Sequence, residues 1–239
     1  MAYEDHFPDA LKSDVERARM NASFPWHIFS GTAILVVGIG SIILFADGKS
    51  SDVTKEYYPS GAIKVEQVGS YSNGRGDGTL TFYYENGKVE SVQRYKNGLE
   101  DGEWTWYNEQ GVKIKSGGYL EGKLEGKWLF YTDDGVLSEE TLYKNNRKEG
   151  LATTYYGEGK KASEGNYKSD LAHGPWRFWY ENQQLMTEGE LVDDKRVGVW
   201  KSYFDNGKLN FENRYQDSAA YMISLFTRDG KQLVKNGNG

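Results

Sequence analysis

The chain has 239 residues, with 29 Gly, 10 Phe, 7 Trp and 18 Tyr against only 4 Pro and no Cys, and a formal charge of −6. Glycine and aromatics in that proportion point to strands and turns, and so much aromatic surface argues against disorder. The negative balance argues against nucleic acid and against a polybasic lipid-surface role. The missing cysteine excludes disulfides, thiolate metal sites and a catalytic thiol.

In chain order, the first predicted element lies in residues 9–21 (DALKSDVERARMN). Leu11, Val15 and Ala18 fall on one side of a short amphipathic helix, which Ser23 to Pro25 would end. Residues 1–27 form an N-terminal arm. Residues 28–46 (IFSGTAILVVGIGSIILFA) carry no charge and span roughly 28 Å as a helix, close to the hydrocarbon thickness of a bilayer. Trp26 precedes the run where an indole suits the headgroup region, and His27 beside it reads as an interfacial side chain. The long acidic segment ahead of the run does not fit a cleaved signal peptide. These features predict a single-pass anchor in the inner (cell) membrane. Lys12, Arg17 and Arg19 before it, against Lys49 and Lys55 after it, favour a cytoplasmic N-terminus and a periplasmic or extracellular remainder. Gly31 and Gly38 share one helix face and would let another transmembrane helix approach closely. Residues 47–53 are a linker.

From there the sequence repeats. Glycines fall at 78, 102, 126, 150, 174 and 198, with 24 residues between successive members. Two residues on stand Trp104, Trp128, Trp176 and Trp200, with Leu80 and Ala152 as exceptions; five residues on stand Tyr83, Tyr107, Tyr131, Tyr155, Trp179 and Tyr203. Each unit reads as one β-hairpin, with Asn86-Gly87, Asp134-Gly135 and Asn206-Gly207 in its tight turn. The connection to the next unit (KNGLEDG, LEGKLEG, KNNRKEG, KSDLAHG, VDDKRVG) carries Gly98, Gly122, Asn146, Asp170 or Asp194 at its third position. Those residue types tolerate positive φ, so backbone geometry explains them, and Gly102 and its equivalents would open the next hairpin. The predicted fold is an all-β repeat over residues 54–235: an elongated, twisted antiparallel meander of tandem 24-residue hairpins hung from one N-terminal transmembrane helix, with a tail at 236–239. By the two-residue period, Trp104 and Trp106 share a face and Tyr107 points to the other, so both faces carry aromatic ladders.

The segments GEWTWYNEQG, GKWLFYTDDG, GPWRFWYENQ and GVWKSYFDNG, with YKNGLEDG and YLEGKLEG, resemble the MORN repeat variant found in many bacterial proteins, some of them assigned as antitoxins of toxin–antitoxin pairs. The resemblance implies a β-hairpin sheet and an interaction role.

Chemistry-bearing residues are sparse. His173 sits where other copies have Asp77, Asp101, Glu125, Glu149 or Val197, and reads as a turn residue rather than a base. The carboxylates at that position would line one rim about 10 Å apart, too far to share a metal ion, either as a solvated strip or as a selector of basic partners. The glycine string at 74–78 lacks the following helix of a phosphate cradle, and adjacent Glu139 and Glu140 face opposite ways on a strand. No catalytic, cofactor or metal residue is assigned. The predicted function is a non-enzymatic scaffold, an accessory subunit of a larger membrane complex of respiratory or photosynthetic type, bound through the helix at Trp26, Gly31 and Gly38 and through the repeat sheet. Trp104, Tyr107, Trp128, Tyr131, Trp176, Trp179, Trp200 and Tyr203 are its structural or binding aromatics. The alternatives are a free-standing envelope binder whose aromatics stack on glycan or peptidoglycan, and an antitoxin-like protein.

Overall fold

The computed structural model describes residues 53–72, 75–217 and 219–236. The predicted arm helix, the apolar run at 28–46 and Trp26, Gly31 and Gly38 lie outside the described residues. No helix among the described residues is long and apolar enough to cross a membrane.

The described residues form one antiparallel sheet of seventeen strands, each paired with its sequence neighbour. The strands are β1 (Val53–Tyr57), β2 (Ile63–Ser72), β3 (Arg75–Tyr83), β4 (Val89–Lys96), β5 (Leu99–Glu100), β6 (Gly102–Tyr107), β7 (Lys113–Leu120), β8 (Lys123–Tyr131) and β9 (Leu137–Lys144). They continue as β10 (Arg147–Tyr155), β11 (Lys161–Lys168), β12 (Leu171–Trp179), β13 (Leu185–Val192), β14 (Lys195–Tyr203), β15 (Leu209–Gln216), β16 (Ala219–Phe226) and β17 (Gln232–Lys235). Strands β5 and β6 both pair with β4 and are one strand interrupted at Asp101. The meander predicted from the period is therefore present, hairpin by hairpin.

The turns are distributed differently from the expectation. At one rim Gly87 N–H donates to Tyr84 O (2.9 Å) and Tyr84 N–H to Lys88 O (2.8 Å), and only Gly87 has positive φ. Tyr83 faces Val89 while Phe82 faces Ser91, so Glu90 is an extra residue. This is a four-residue turn closed by a left-handed glycine and a bulge, not a two-residue Asn-Gly turn. The same hydrogen bonds recur at 108–112, 132–136, 180–184 and 204–208. The two-residue turns stand at the opposite rim. There both central residues have positive φ: Asn97 and Gly98, Glu121 and Gly122, Asn145 and Asn146, Ser169 and Asp170, Asp193 and Asp194. That is the signature of the type I′ hairpin, whose twist matches that of the strands.

The period-setting glycines also differ from their predicted place. Gly126 lies inside β8, where Ser116 faces Leu129 but Gly118 faces Glu125, leaving extra residues on β8. Its φ is +74° and a β-carbon there would meet nothing within 4 Å. The residue is glycine because a bulge needs a left-handed backbone, not because space is short. It does not open the hairpin; the strand begins at Lys123.

Candidate interaction surface

Among the described residues the sheet has no second layer to bury against, so each face covers itself. On one face Trp104, Trp128, Trp176 and Trp200 are 7%, 3%, 6% and 3% exposed. Trp104 and Trp128 each lie between tyrosines of the two neighbouring strands, and Trp176 and Trp200 each have one such tyrosine. Ring centroids run Tyr95 to Trp104 5.3 Å, Trp104 to Tyr119 4.7 Å, Tyr119 to Trp128 5.3 Å and Trp128 to Tyr143 6.1 Å. Trp106 and Phe130 extend this block, and a second block joins Tyr167, Trp176, Phe178, Leu191, Trp200 and Tyr215. Each indole N–H donates to a carbonyl on the preceding strand: Trp104 to Arg94 (2.9 Å), Trp128 to Gly118 (3.1 Å), Trp176 to Asn166 (3.3 Å) and Trp200 to Glu190 (3.1 Å). These tryptophans are covered and hydrogen-bonded within the sheet.

Flat rings need room. A β-carbon at Gly117, Gly165 or Gly189 would stand 2.1, 2.1 or 2.2 Å from the indole of Trp128, Trp176 or Trp200. In the one copy where Ala152 replaces the tryptophan, the residue beneath it is Thr141 rather than glycine. Lys148 lies there as well, 3.4 Å from Glu139 and 5.0 Å from the Tyr167 ring. On the same face Lys115 Nζ stands 3.9 Å over Trp106, and its burial lowers its pKa.

The opposite face carries Tyr107, Tyr131, Trp179 and Tyr203, all half-buried. Lys113 Nζ is 5.2 Å from the Tyr131 ring and Lys161 Nζ 5.9 Å from Trp179. The Tyr203 hydroxyl donates to Glu188 (3.1 Å); burial, then that carboxylate, push its pKa up to about 12. Between the aromatics runs an ionic ladder: Lys127 with Glu140 (3.3 Å), Arg177 with Glu188 (3.4 Å) and Lys201 with Glu212 (3.9 Å). The eight aromatics predicted from the repeat thus divide into four covered tryptophans on one face and four half-buried rings on the other.

Both rims are stapled, hairpin to hairpin. At the type I′ rim the connector carboxylates accept backbone N–H groups of the next turn: Asp77 from Asn97 (2.6 Å), Asp101 from Glu121 (3.4 Å), Glu125 from Asn145 (3.0 Å) and Glu149 from Ser169 (2.8 Å). The expected acidic strip is therefore a row of committed acceptors, Asp77 exposed and Asp101, Glu125 and Glu149 half-buried. Asn146, Asp170 and Asp194 do more than tolerate positive φ: their side-chain oxygens accept from Leu124, Lys148 and Ala172 N–H at 2.7, 2.7 and 2.8 Å. His173 breaks the pattern, with Nδ1 3.4 Å from Asp193 Oδ1. At the other rim the hydroxyls of Tyr58, Tyr84, Tyr156 and Tyr180 donate to the carbonyls of Tyr83, Tyr107, Trp179 and Tyr203 at 2.8 to 2.9 Å. Asn86, Asn182 and Asn206 amides reach Glu109, Asp205 and Arg228 carbonyls. Sequence reasoning passed over these tyrosines and the glycines under the indoles, and took Asn86 and Asn206 for turn residues alone. Their signal was available, since each recurs at a fixed place in the 24-residue unit.

Four stretches of the hairpin sheet, residues 76–97, 124–145, 148–169 and 196–217, match the MORN repeat variant. The chain carries MORN repeat variants. The 24-residue steps between those MORN matches at 100–121 and 172–193 fold as the same hairpin, β5–β7 and β12–β13. No curated protein matches the sequence. Among solved structures, the crystal structure of TcdB2-TccC3-Cdc42 is similar to the MORN chain at 11% identity and a TM-score of 0.24. The similarity covers 78% of this chain and 14% of that one. Among the described residues of the MORN sheet, no group of three or more His, Cys, Asp or Glu is placed to hold a metal ion.

Proposed function

We propose that the chain is a non-catalytic, membrane-anchored MORN scaffold, an accessory subunit that holds a larger membrane complex together. The observation that carries the reading is the stapling of both rims. Hydroxyls, amides and carboxylates that chemistry would require are instead committed to neighbouring turns, hairpin after hairpin. What remains available is two broad faces of half-buried side chains, the kind of surface that binds a macromolecule rather than enclosing a substrate. The anchor rests on the uncharged run at 28–46, and Trp26 belongs to its interfacial boundary. In this reading the N-terminus is cytoplasmic and the sheet faces the periplasm or cell exterior. The helix docks on a partner helix through Gly31 and Gly38.

Replacing Gly31 and Gly38 together by Leu tests the docking. Full-length chain carrying both changes should still enter the membrane but lose its co-purifying subunits in mild detergent. Unchanged co-purification would contradict docking through that helix face.

A further inference from the structure

One part of the sheet abandons the repeat's own surface chemistry. At the position that holds Asp77, Asp101, Glu125 and Glu149 in earlier copies, the last two copies place His173 and Val197. One residue beyond the period glycine, where Thr79, Glu103, Lys127 and Leu151 stand, they place Pro175 and Val199. Nothing in the fold requires the change, since the same hairpins form with Asp101 and Glu103 or with Glu125 and Lys127 in those two places, although Leu151 is already apolar at the second. The change removes a staple, because valine cannot accept a backbone N–H.

The substitutions converge in space. Pro175 and Val197 lie directly across from Glu190 on its two sides, and all three point away from the tryptophan face. Val199 continues the row, and Leu171 and Val192 flank it towards the type I′ rim; these three are 40%, 41% and 36% exposed. Pro175, Val197 and Val199 border a shallow, open depression over Gly189. Glu190 stands exposed in its middle. The two cations that line the depression are engaged, Arg177 with Glu188 (3.4 Å) and Lys201 with Glu212 (3.9 Å), and Arg214 and Lys195 stand further out, across from Val199 and Val192, while Glu190 has no ion-pair partner among the described residues.

Resting on the scaffold reading above, we propose that this depression is the sheet's protein-docking site and that it takes an extended, basic segment of a partner protein. Aliphatic side chains of the segment would sit against Pro175, Val197 and Val199, and an arginine or lysine would reach Glu190. An exposed carboxylate ringed by apolar groups attracts a cation whose stem is itself apolar, and it disfavours acidic segments. The net charge of −6 acts in the same direction.

The test uses the full-length chain in a neutral detergent and a fluorescein-labelled hexapeptide of alternating arginine and valine, with empty micelles as blank. Two variants are compared, Glu190→Lys and Val199→Lys. The second introduces the residue the repeat already tolerates as Lys127, so the fold should hold, and thermal melting checks this. The expected result is saturable binding to the parent chain, weaker by about tenfold in each variant at unchanged melting temperature, the size of one anchor contact. An alternating glutamate and valine hexapeptide should not bind. Equal binding by parent and variants, or equal binding of the acidic peptide, would overturn the proposal. So would a chain whose self-association, or whose binding to vesicles of anionic phospholipid, is what Val199→Lys abolishes; the occupant would then be a second copy or a membrane. Failure here is separable from failure of the scaffold reading: variants that keep their co-purifying membrane subunits while peptide binding is unaffected would sink the docking site alone.

Discussion

At the scale of single residues, the sheet is held by a size match between an indole and the absence of a side chain. Gly165→Ala would place a β-carbon 2.1 Å from the Trp176 ring, and the ring is hemmed by Tyr167 and Phe178. The change should destabilise the protein by about 1–3 kcal/mol, the usual cost of overpacking, measured by urea unfolding. The reverse pairing gives a sharper check. Ala152→Trp alone meets Thr141 and the Lys148–Glu139 pair, whereas Ala152→Trp with Thr141→Gly rebuilds the arrangement of Trp128, Trp176 and Trp200. A double-mutant cycle should show favourable coupling of about 1 kcal/mol or more; additive effects would contradict the size match. The tyrosines give a pH dependence. Tyr119, pushed up to about 12 by burial and then by Glu100, keeps its proton in the folded state above pH 10, where an unfolded phenol loses it. The unfolded state then binds fewer protons, so stability is intact below pH 10 and falls as pH rises from 10 to 12. Tyr119→Phe should flatten part of that fall in unfolding curves recorded across this range.

At the scale of the hairpin, the unit is defined by which turn stands at which rim, and here the sequence was legible only in part. The period and the strand order follow directly from the recurring Gly, Trp and Tyr. The turn types do not, because Asn-Gly occurs at both rims, as Asn86-Gly87 and as Asn97-Gly98. At the first, the Asn86 oxygen accepts Lys88 N–H (2.9 Å) and its amide reaches Glu109 O, which favours the longer bulged turn. At the second, Asp77 fixes Asn97 N–H in a type I′ turn. Glu109 and Asp77 lie 23 and 20 residues from the asparagines they hold, so no local reading of a dipeptide finds them. The connector acids were misjudged for the same reason: they look solvated until the next turn is laid beside them. Glu149→Ala should therefore cost about 1 kcal/mol by leaving Ser169 N–H without its acceptor, measured by chemical denaturation, although Glu149 touches no hydrophobic core. A change within a few tenths of a kcal/mol would reduce the staple to decoration.

At the scale of the whole molecule, strand pairing among the described residues runs only between neighbours, and side-chain contacts such as Trp106 with Trp128 or Tyr156 with Trp179 O reach the next hairpin, so stability should build up hairpin by hairpin. Removing one 24-residue unit should leave a shorter sheet of the same kind, provided the new junction matches in size. Deleting residues 102–125 brings Trp128 against Gln93, the residue that already precedes Trp104. Deleting residues 126–149 brings Ala152 against Gly117 and leaves a gap where a ring should lie. Both should retain a β-type circular dichroism spectrum, the second melting at a lower temperature. The faces such a sheet presents are its means of acting on other molecules, and whether it acts inside a membrane complex is decided by its company. The most direct measurement is a mild-detergent pull-down of the full-length chain from its native membrane, with quantitative mass spectrometry of the co-purifying proteins. Membrane subunits recovered in fixed stoichiometry with the chain are the predicted result. Recovery of the chain alone, from membranes where it is abundant and folded, would contradict the accessory-subunit role.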